Sequence, residues 1–484
     1  MIEITLRIIV FGFSFLVLFY FFALNTFYML TNIFAFSSLR RYAGRLKSIQ
    51  INELLSSAGA PPITLLAPAY NEQATCVEST RALLTLNYPD YEVLMINDGS
   101  KDGTLETMIE AYEMAPAARV PTADIEASKV RQVYRSRSNP NLWLIDKENG
   151  GKADALNVGL NYCRTPLFCA MDADTLLERD ALVRIVRPFL EDASTVAAGG
   201  IIRIVNGCTI QNGIVTEVRL PKNFLAKFQV MEYLRAFLSG RMGWDAINAM
   251  LIISGAFGMF KRSTVVQAGG YATSKTSFHT VGEDMELVVW LHKYCMDNDI
   301  DYSVRFVPDP VAWTECPEST KILGRQRDRW QRGLYECLMA HRSMLFEPKY
   351  GKIGMLAYPY FFFLEMLGPA IELPGYFVLV YVIVTGVVSP VFAVTFFMVA
   401  VVFGMVLSIA AVGLEELTFR RYPKFTDMLQ LFGLAVIENF GYRQMTTYWR
   451  IRGFISALRG KTGWGQMERK GFASSTPGKE NTKK

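Results

Sequence analysis

Residues 167 to 175 read Leu-Phe-Cys-Ala-Met-Asp-Ala-Asp-Thr, and the fold turns on that stretch. An apolar run passing directly into two aspartates one residue apart is how a buried strand looks when it delivers carboxylates to its exposed end. Side chains two apart along a strand share a face, so Asp172 and Asp174 could reach one hard cation, and Mg2+ or Mn2+ carrying a diphosphate is the natural occupant. A capping turn into the helix expected near Leu177 is the plainer alternative, because Asp is common at strand ends and helix starts.

The chain upstream repeats the same design. Ile63 to Pro68 reads as a short buried strand ending in Ala69-Tyr70-Asn71-Glu72, with a helical stretch to Leu86. Glu92 to Asn97 is a second strand, ending in the Gly-rich turn Asp98 to Thr104. Trp143-Leu144-Ile145 is a third, leading into Asn149-Gly150-Gly151-Lys152 and a helix. Lys152 there either sits near phosphates at the helix start or is simply solvated. Strands alternating with helices predict an α/β fold with a mostly parallel sheet, whose ligands bind outside the carboxyl ends of the strands. Ala115 to Pro140 has no clean period and reads as a partly helical insertion. Beyond the aspartates, Val196 to Val205 predicts another strand and Phe224 to Arg241 a helix. Ile252 to Phe260, with Ser254-Gly255-Ala256-Phe257-Gly258 at its centre, predicts a loop whose backbone lies close to something, or a tight packing turn. Gly282-Glu283-Asp284 opens a helix whose two acids suit its positive end. Arg325 to Tyr335, RQRDRWQRGLY, predicts a helix, and a cationic helix on a bilayer surface is its plain reading.

At 484 residues the chain is too long for one ordinary domain. Its 51% hydrophobic content is concentrated towards the ends: Ile8 to Leu39 and Leu373 to Leu414 contain no charged residue, and each can cross a hydrocarbon layer about 30 Å thick. A cleaved signal peptide fits the first run poorly, since the run is long and lacks a small-residue cleavage pattern. From Gly441 onward there are ten Lys or Arg against two Asp or Glu, while the whole chain is +5. Arg40, Arg41, Arg45 and Lys47 directly follow the first run, so the positive-inside rule puts the middle of the chain in the cytoplasm. Such flanks indicate membrane-surface contact and not nucleic acid. Seven scattered cysteines without a CxxC fit a reducing compartment, and His279, His292 and His341 are too dispersed for a metal site. One straight helix over Ile353 to Ser389 would be about 55 Å long, so a break into surface and spanning segments is expected. Val391 to Leu414 is a further crossing, and Asp427 to Trp449 suits a surface or pore-lining helix. Glu365, Glu438 and Arg443 are candidate polar lining of a path through the bilayer. The expected organisation is an anchor (1–43), a connector (44–62), a globular domain (63–338), interfacial and transmembrane helices (339–450) and a basic tail (451–484).

Taken together, these clusters resemble the membrane-bound family 2 glycosyltransferases, the group of cellulose, chitin, hyaluronan and poly-N-acetylglucosamine synthases. The resemblance covers roughly Ile63 to Tyr335 and implies a GT-A-like nucleotide-sugar transferase domain flanked by transmembrane helices. By that likeness Tyr70 and Glu72, within Pro68 to Glu72, bracket the uracil, Asp98 binds the uridine and Lys152 lies near the diphosphate. Asp172 and Asp174 match the DxD whose second acid holds the metal. Asp284 takes the place of the general base in the motif usually written TED, and Gln326, Arg329 and Trp330 match QxxRW. Gln229, Glu232 and Tyr233 resemble a further acceptor-side motif. Gly282 departs from the family's Thr, and Asn97 from a common Asp. The implied reaction is metal-dependent, inverting transfer from a UDP-sugar, N-acetylglucosamine or glucose, to a growing β-linked glycan at the inner membrane, with a possible export or accessory subunit. A single-addition transferase acting on a lipid-linked acceptor and a catalytically silent scaffold stay open as alternatives.

Overall fold

The structure is a computed structural model that describes residues 2–46, 59–211, 213–386, 389–422 and 424–461. The middle of the expected connector and most of the expected basic tail lie outside the described residues. Its first strands are β1 (Ile63–Ala69), β2 (Tyr91–Asp98), β3 (Met114–Pro116), β4 (Val130–Ser136), β5 (Leu142–Lys147) and β6 (Leu167–Ala170). They are followed by β7 (Leu176–Leu177), β8 (Thr195–Ile204), β9 (Thr209–Gln211), β10 (Ile214–Glu217), β11 (Gly258–Lys261) and β12 (Ser303–Thr314). β9 and β10 pair with each other, and the other ten join in the order β3-β4-β5-β2-β1-β6-β11-β8-β12-β7.

The neighbours β5, β2, β1 and β6 run parallel, with the helices Cys76–Leu83, Thr104–Ala111 and Lys152–Tyr162 between them in sequence. Their polar carboxyl ends therefore emerge at one rim, with Ala69 opposite Asn97 and Asp98 opposite Lys147. All four residues of β6 and all ten of β8 are buried, which is why these strands read as apolar runs without alternation.

Several expectations are corrected. Ala115 to Pro140 holds no helix: it forms the end of β3 and all of β4, antiparallel to β5. Its charged residues conceal a strand in which Val133 and Ser136 are buried while Arg131 and Arg135 are exposed. Within Ile252 to Phe260 the loop holds as far as Phe257, and β11 follows, inserted antiparallel between β6 and β8. β12 was invisible because Pro308 and Pro310 interrupt it. A register shift between Val307 and Val311 takes up both prolines, and Asp309 between them is buried against Arg187 at 2.7 Å.

Two helices, Ile9–Tyr42 and Pro390–Thr418, are long and apolar enough to cross a membrane. Ile353–Met366 and Gly368–Tyr381 form a pair bent by 42°, which would make a third span if the pair crosses as one. Phe425–Ile437 has 13 residues, about 20 Å of helix, too short to span. The acids proposed as pore lining are instead tied to partners. Glu438 is fully buried and accepts from Arg443 at 2.9 Å, Ser408 at 2.8 Å and Arg235. Glu365 accepts from Tyr28 at 3.0 Å, Tyr360 at 2.8 Å and Arg450 at 3.2 Å. These carboxylates tie separate segments to one another.

The membrane helices are joined to the sheet by a buried ion pair, Arg203 of β8 with Glu415 of the Phe403–Thr418 helix, at 2.7 Å with side-chain exposures of 3% and 0%. Glu415→Ala leaves the Arg203 charge uncompensated and is expected to cost about 3–5 kcal/mol, while the Arg203→Leu/Glu415→Leu pair costs far less; thermal unfolding in detergent compares them. A second tight contact joins the start of the Glu283–Asp297 helix to the Thr320–Ala340 helix, where a Cβ on Gly282 would lie 2.9 Å from the Gly333 Cα. Only backbone is there to yield, so Gly282→Ala or Gly282→Thr should destabilise by about 1–3 kcal/mol, read as a lower unfolding midpoint.

Candidate functional site

The site is assembled at the carboxyl rim of the parallel strands. β2 ends on Asp98 and β5 on Lys147, and their register brings the two side chains into a buried ion pair. Asp98 also accepts from the backbone amides of Gly150 at 2.9 Å and Gly151 at 2.8 Å. It therefore folds the Asn149-Gly150-Gly151 loop over itself and presents Lys152 at the start of the next helix. The Lys147 ammonium is further held by Asp154 at 2.8 Å.

Lys152 is the hub. Its ammonium donates to Asp172 Oδ1 at 2.5 Å and to the Gly255 carbonyl at 3.3 Å, and it pairs with Glu283 Oε1 at 3.2 Å. An ammonium has three N–H donors, and each has an acceptor. Burial alone would lower its pKa, but Asp172 and then Glu283 outweigh burial and raise it. Burial raises the Glu283 pKa, Lys152 opposes this, Asp284 adds to it, and the charge of Arg329 lowers it. Those electrostatic influences draw the QxxRW arginine into the field of this cluster.

Asp284 is the second residue of the Glu283–Asp297 helix. Its Oδ2 accepts from the Gly255 amide at 3.1 Å and its Oδ1 from the Met285 amide at 2.8 Å. The close approach expected of the Ser254 to Gly258 loop is explained: a Cβ on Gly255 would lie 2.7 Å from Lys152 Nζ and 3.6 Å from Asp284 Oδ2. Lys152, Gly255, Glu283 and Asp284 line one small cavity with Tyr271.

The two aspartates of the DxD do not lie in the strand. β6 stops at Ala170, and Asp172 to Thr175 form a turn closed by Thr175 N donating to Asp172 O at 3.1 Å. Asp172 faces Lys152 with a third of its side chain exposed, whereas Asp174 is buried. Among the described residues no three Asp, Glu, His or Cys side chains gather as a metal cage. A donor set of one or two carboxylates fits a hard cation that takes its remaining ligands from phosphate and water, the habit of Mg2+.

The Tyr70 to Glu72 loop is docked on the Asp98 loop: Asn71 N donates to Ser100 Oγ at 3.0 Å and Glu72 N to Thr104 Oγ1 at 2.9 Å. Tyr70 stands exposed above it. Gln326, Arg329 and Trp330 lie on the Thr320–Ala340 helix, Gln326 buried and Trp330 37% exposed. Gln326, Arg329 and Gly333 are spaced three and four apart and so share a face, and Gly333 touches Gly282 beside Asp284. Gln229 is buried and bonded to the Pro317 carbonyl at 2.7 Å. His292 is bonded to Tyr302 and the Met250 carbonyl, and burial lowers its pKa to about 4. His341 meets Glu286 at 3.1 Å, so both are structural. Glu283 and Lys147 were missed by sequence reasoning; their only signal was their place beside Asp284 and in the Asp146 to Lys152 run.

The sequence model of the family described as "Glycosyltransferase like family 2" matches residues 61–333, which spans every cluster above. A poly-beta-1,6-N-acetyl-D-glucosamine synthase of Staphylococcus epidermidis is 28% identical over 278 residues, 57% of this chain and 55% of that protein. The synthase of the same name from Staphylococcus aureus strain COL matches to the same extent. The chain thus spans about half the length of these curated relatives. Among solved structures, a Pyrobaculum calidifontis mannosyltransferase in complex with GDP-Man and Mn2+ aligns over 91% of this chain and all of its own, with a TM-score of 0.47 and 19% identity. With the family model covering more than half of its length, the chain belongs to glycosyltransferase family 2.

Proposed function

We propose that this protein is a metal-dependent, inverting glycosyltransferase that extends a β-linked polysaccharide from a UDP-sugar at the cytoplasmic face of a membrane. The observation that carries the reading is the convergence of Lys152, Asp172, Glu283 and Asp284 at the carboxyl rim of parallel strands. That is the place where such a sheet takes its ligand.

A nucleotide-diphospho-sugar leaves as a diphosphate, so one side of the anomeric carbon must be neutralised. Asp174 with Asp172 would hold Mg2+ or Mn2+, which when bound supplies Lewis-acid stabilisation of the departing charge. Lys152, already held as an ammonium between carboxylates, and Arg329 supply fixed positive charge on that side. Tyr70 offers an aromatic face beside the base, Glu72 lies in the loop docked on it, and Asp98 keeps the Gly150-Gly151 loop in shape. Gln326 orients the arginine helix from its buried side. On the opposite face Asp284 takes the acceptor proton; two backbone amides fix its carboxylate before substrate arrives, so little reorganisation is needed. One base and direct displacement invert the anomeric centre. Trp330 is the flat apolar surface for the acceptor ring.

The spanning helices keep the site beside the bilayer, so the growing chain is made where it can be exported. The 28% identity to poly-N-acetylglucosamine synthases favours UDP-N-acetylglucosamine as donor. Purified protein in lipid nanodiscs, given UDP-N-acetylglucosamine, UDP-glucose or GDP-mannose with Mg2+, Mn2+ or chelator, tests this by donor turnover and product mass. Expected are turnover of UDP-N-acetylglucosamine, its loss with chelator, and a ladder of β-linked oligomers. Asp284→Asn should lower kcat about 10²–10⁴-fold. A product of one sugar on a lipid overturns the polymerase reading, and no turnover of any donor by folded protein overturns the enzyme.

A further inference from the structure

Trp330 is 37% exposed, yet its ring is not free to turn. Behind it lies the guanidinium of Arg327, 3% exposed, with its central carbon 4.2 Å from the ring centroid. Arg327 fills the first variable position of QxxRW, and a buried cation needs a counter-charge. Glu232 provides it, its Oε2 accepting from Arg327 Nη2 at 2.9 Å. The same oxygen accepts a second hydrogen bond, from the Tyr442 hydroxyl at 2.8 Å. Tyr442 is itself buried and stacked on Phe228 with centroids 4.8 Å apart.

Tyr442 is the first residue of the Tyr442–Leu458 helix, which lies beyond the residues matched by the family. That helix is packed along the QxxRW helix: a Cβ on Gly324 would meet Trp449 at 2.8 Å, and one on Gly453 the Asp328 carbonyl at 2.5 Å. Arg450 donates to Gln331 at 3.0 Å and Arg452 to the Gly324 carbonyl at 3.1 Å. A stacking platform needs a fixed plane, and an indole with two rotatable bonds on an open helix face does not have one unless something backs it.

We infer that Tyr442, Glu232 and Arg327 form a brace that sets the plane of Trp330, making the helix after the membrane segments a positioning part of the acceptor site. The brace rests on the proposed role of Trp330 as the acceptor surface. Arg327 lies against the ring, Glu232 holds Arg327, and Tyr442 fixes Glu232 from the far helix. The donor side is untouched, because none of the three residues contacts Lys152, Asp172 or Asp284 among the described hydrogen bonds and ion pairs.

Equilibrium binding keeps this test apart from turnover. The full chain in nanodiscs is titrated with UDP and, separately, with chitopentaose in the presence of saturating UDP. Tyr442→Phe, which keeps the stacked ring and removes one hydroxyl, should weaken chitopentaose about 3- to 10-fold, the effect of one lost hydrogen bond, with the UDP Kd within about twofold. In a Trp330→Ala background the same substitution should add nothing. An unchanged chitopentaose Kd, or an equal loss with and without Trp330, overturns the brace, as does absence of chitopentaose binding by the wild type. Should Tyr442→Phe also lose UDP, Glu232→Gln decides by the same comparison, since it keeps an acceptor for Tyr442 and removes the charge facing Arg327. Donor turnover by the wild type, measured alongside, reports on the enzymatic reading independently.

Discussion

One ammonium, that of Lys152, holds together parts of the site that come from four separate stretches of chain. It joins the loop after β5 to the turn after β6 and to the start of the Glu283–Asp297 helix, and it reaches the Gly255 loop as well. Two carboxylates share that one cation and a third, Asp284, lies against the same loop. Burial raises the Glu283 pKa, Lys152 opposes the rise and Asp284 adds to it, so the acids of this site are held together only through the ammonium they share.

The same economy of charge ties the sheet to the bilayer. Arg203 with Glu415, and Arg235 with Glu438, pair arginines of the globular part with carboxylates of the C-terminal segments, and both carboxylates are fully buried. Pairs of this kind add little net stability over apolar packing, but each member is costly to leave alone. They therefore act as register marks, penalising any sliding of helix against sheet. A helix-borne Glu reads identically in sequence whether it faces water or an arginine from another segment, so these partners were not legible there.

What was legible follows from local physics. β1, β2, β5 and β6 are apolar runs that lead into the polar segments at Tyr70, Gly99, Asn149 and Asp172, so their type could be read directly. β4 could not, because its exposed Arg131 and Arg135 mask the buried Val133 and Ser136. β12 could not, because its prolines mark a bulge that only the pairing partner β8 reveals. At the site, residue types were legible and partners were not. Lys147 and Lys152 lie five apart in one loop, and which one meets Asp98 and which Asp172 is settled by β5 ending opposite the end of β2. The DxD was read as a strand, yet the turn that follows β6 sends Asp172 to Lys152 and buries Asp174.

Gly282 shows how a departure from a family pattern can be structural. The family's Thr would carry a side chain where this chain has only the Gly333 backbone 2.9 Å from a Cβ position. The helix bearing Asp284 and the helix bearing Trp330 can then approach until their backbones touch. No side chain lies between them at that point. Trp330 is backed by Arg327, and Asp284 is held by two amides. An attacking hydroxyl must be placed to within a fraction of an ångström of its base.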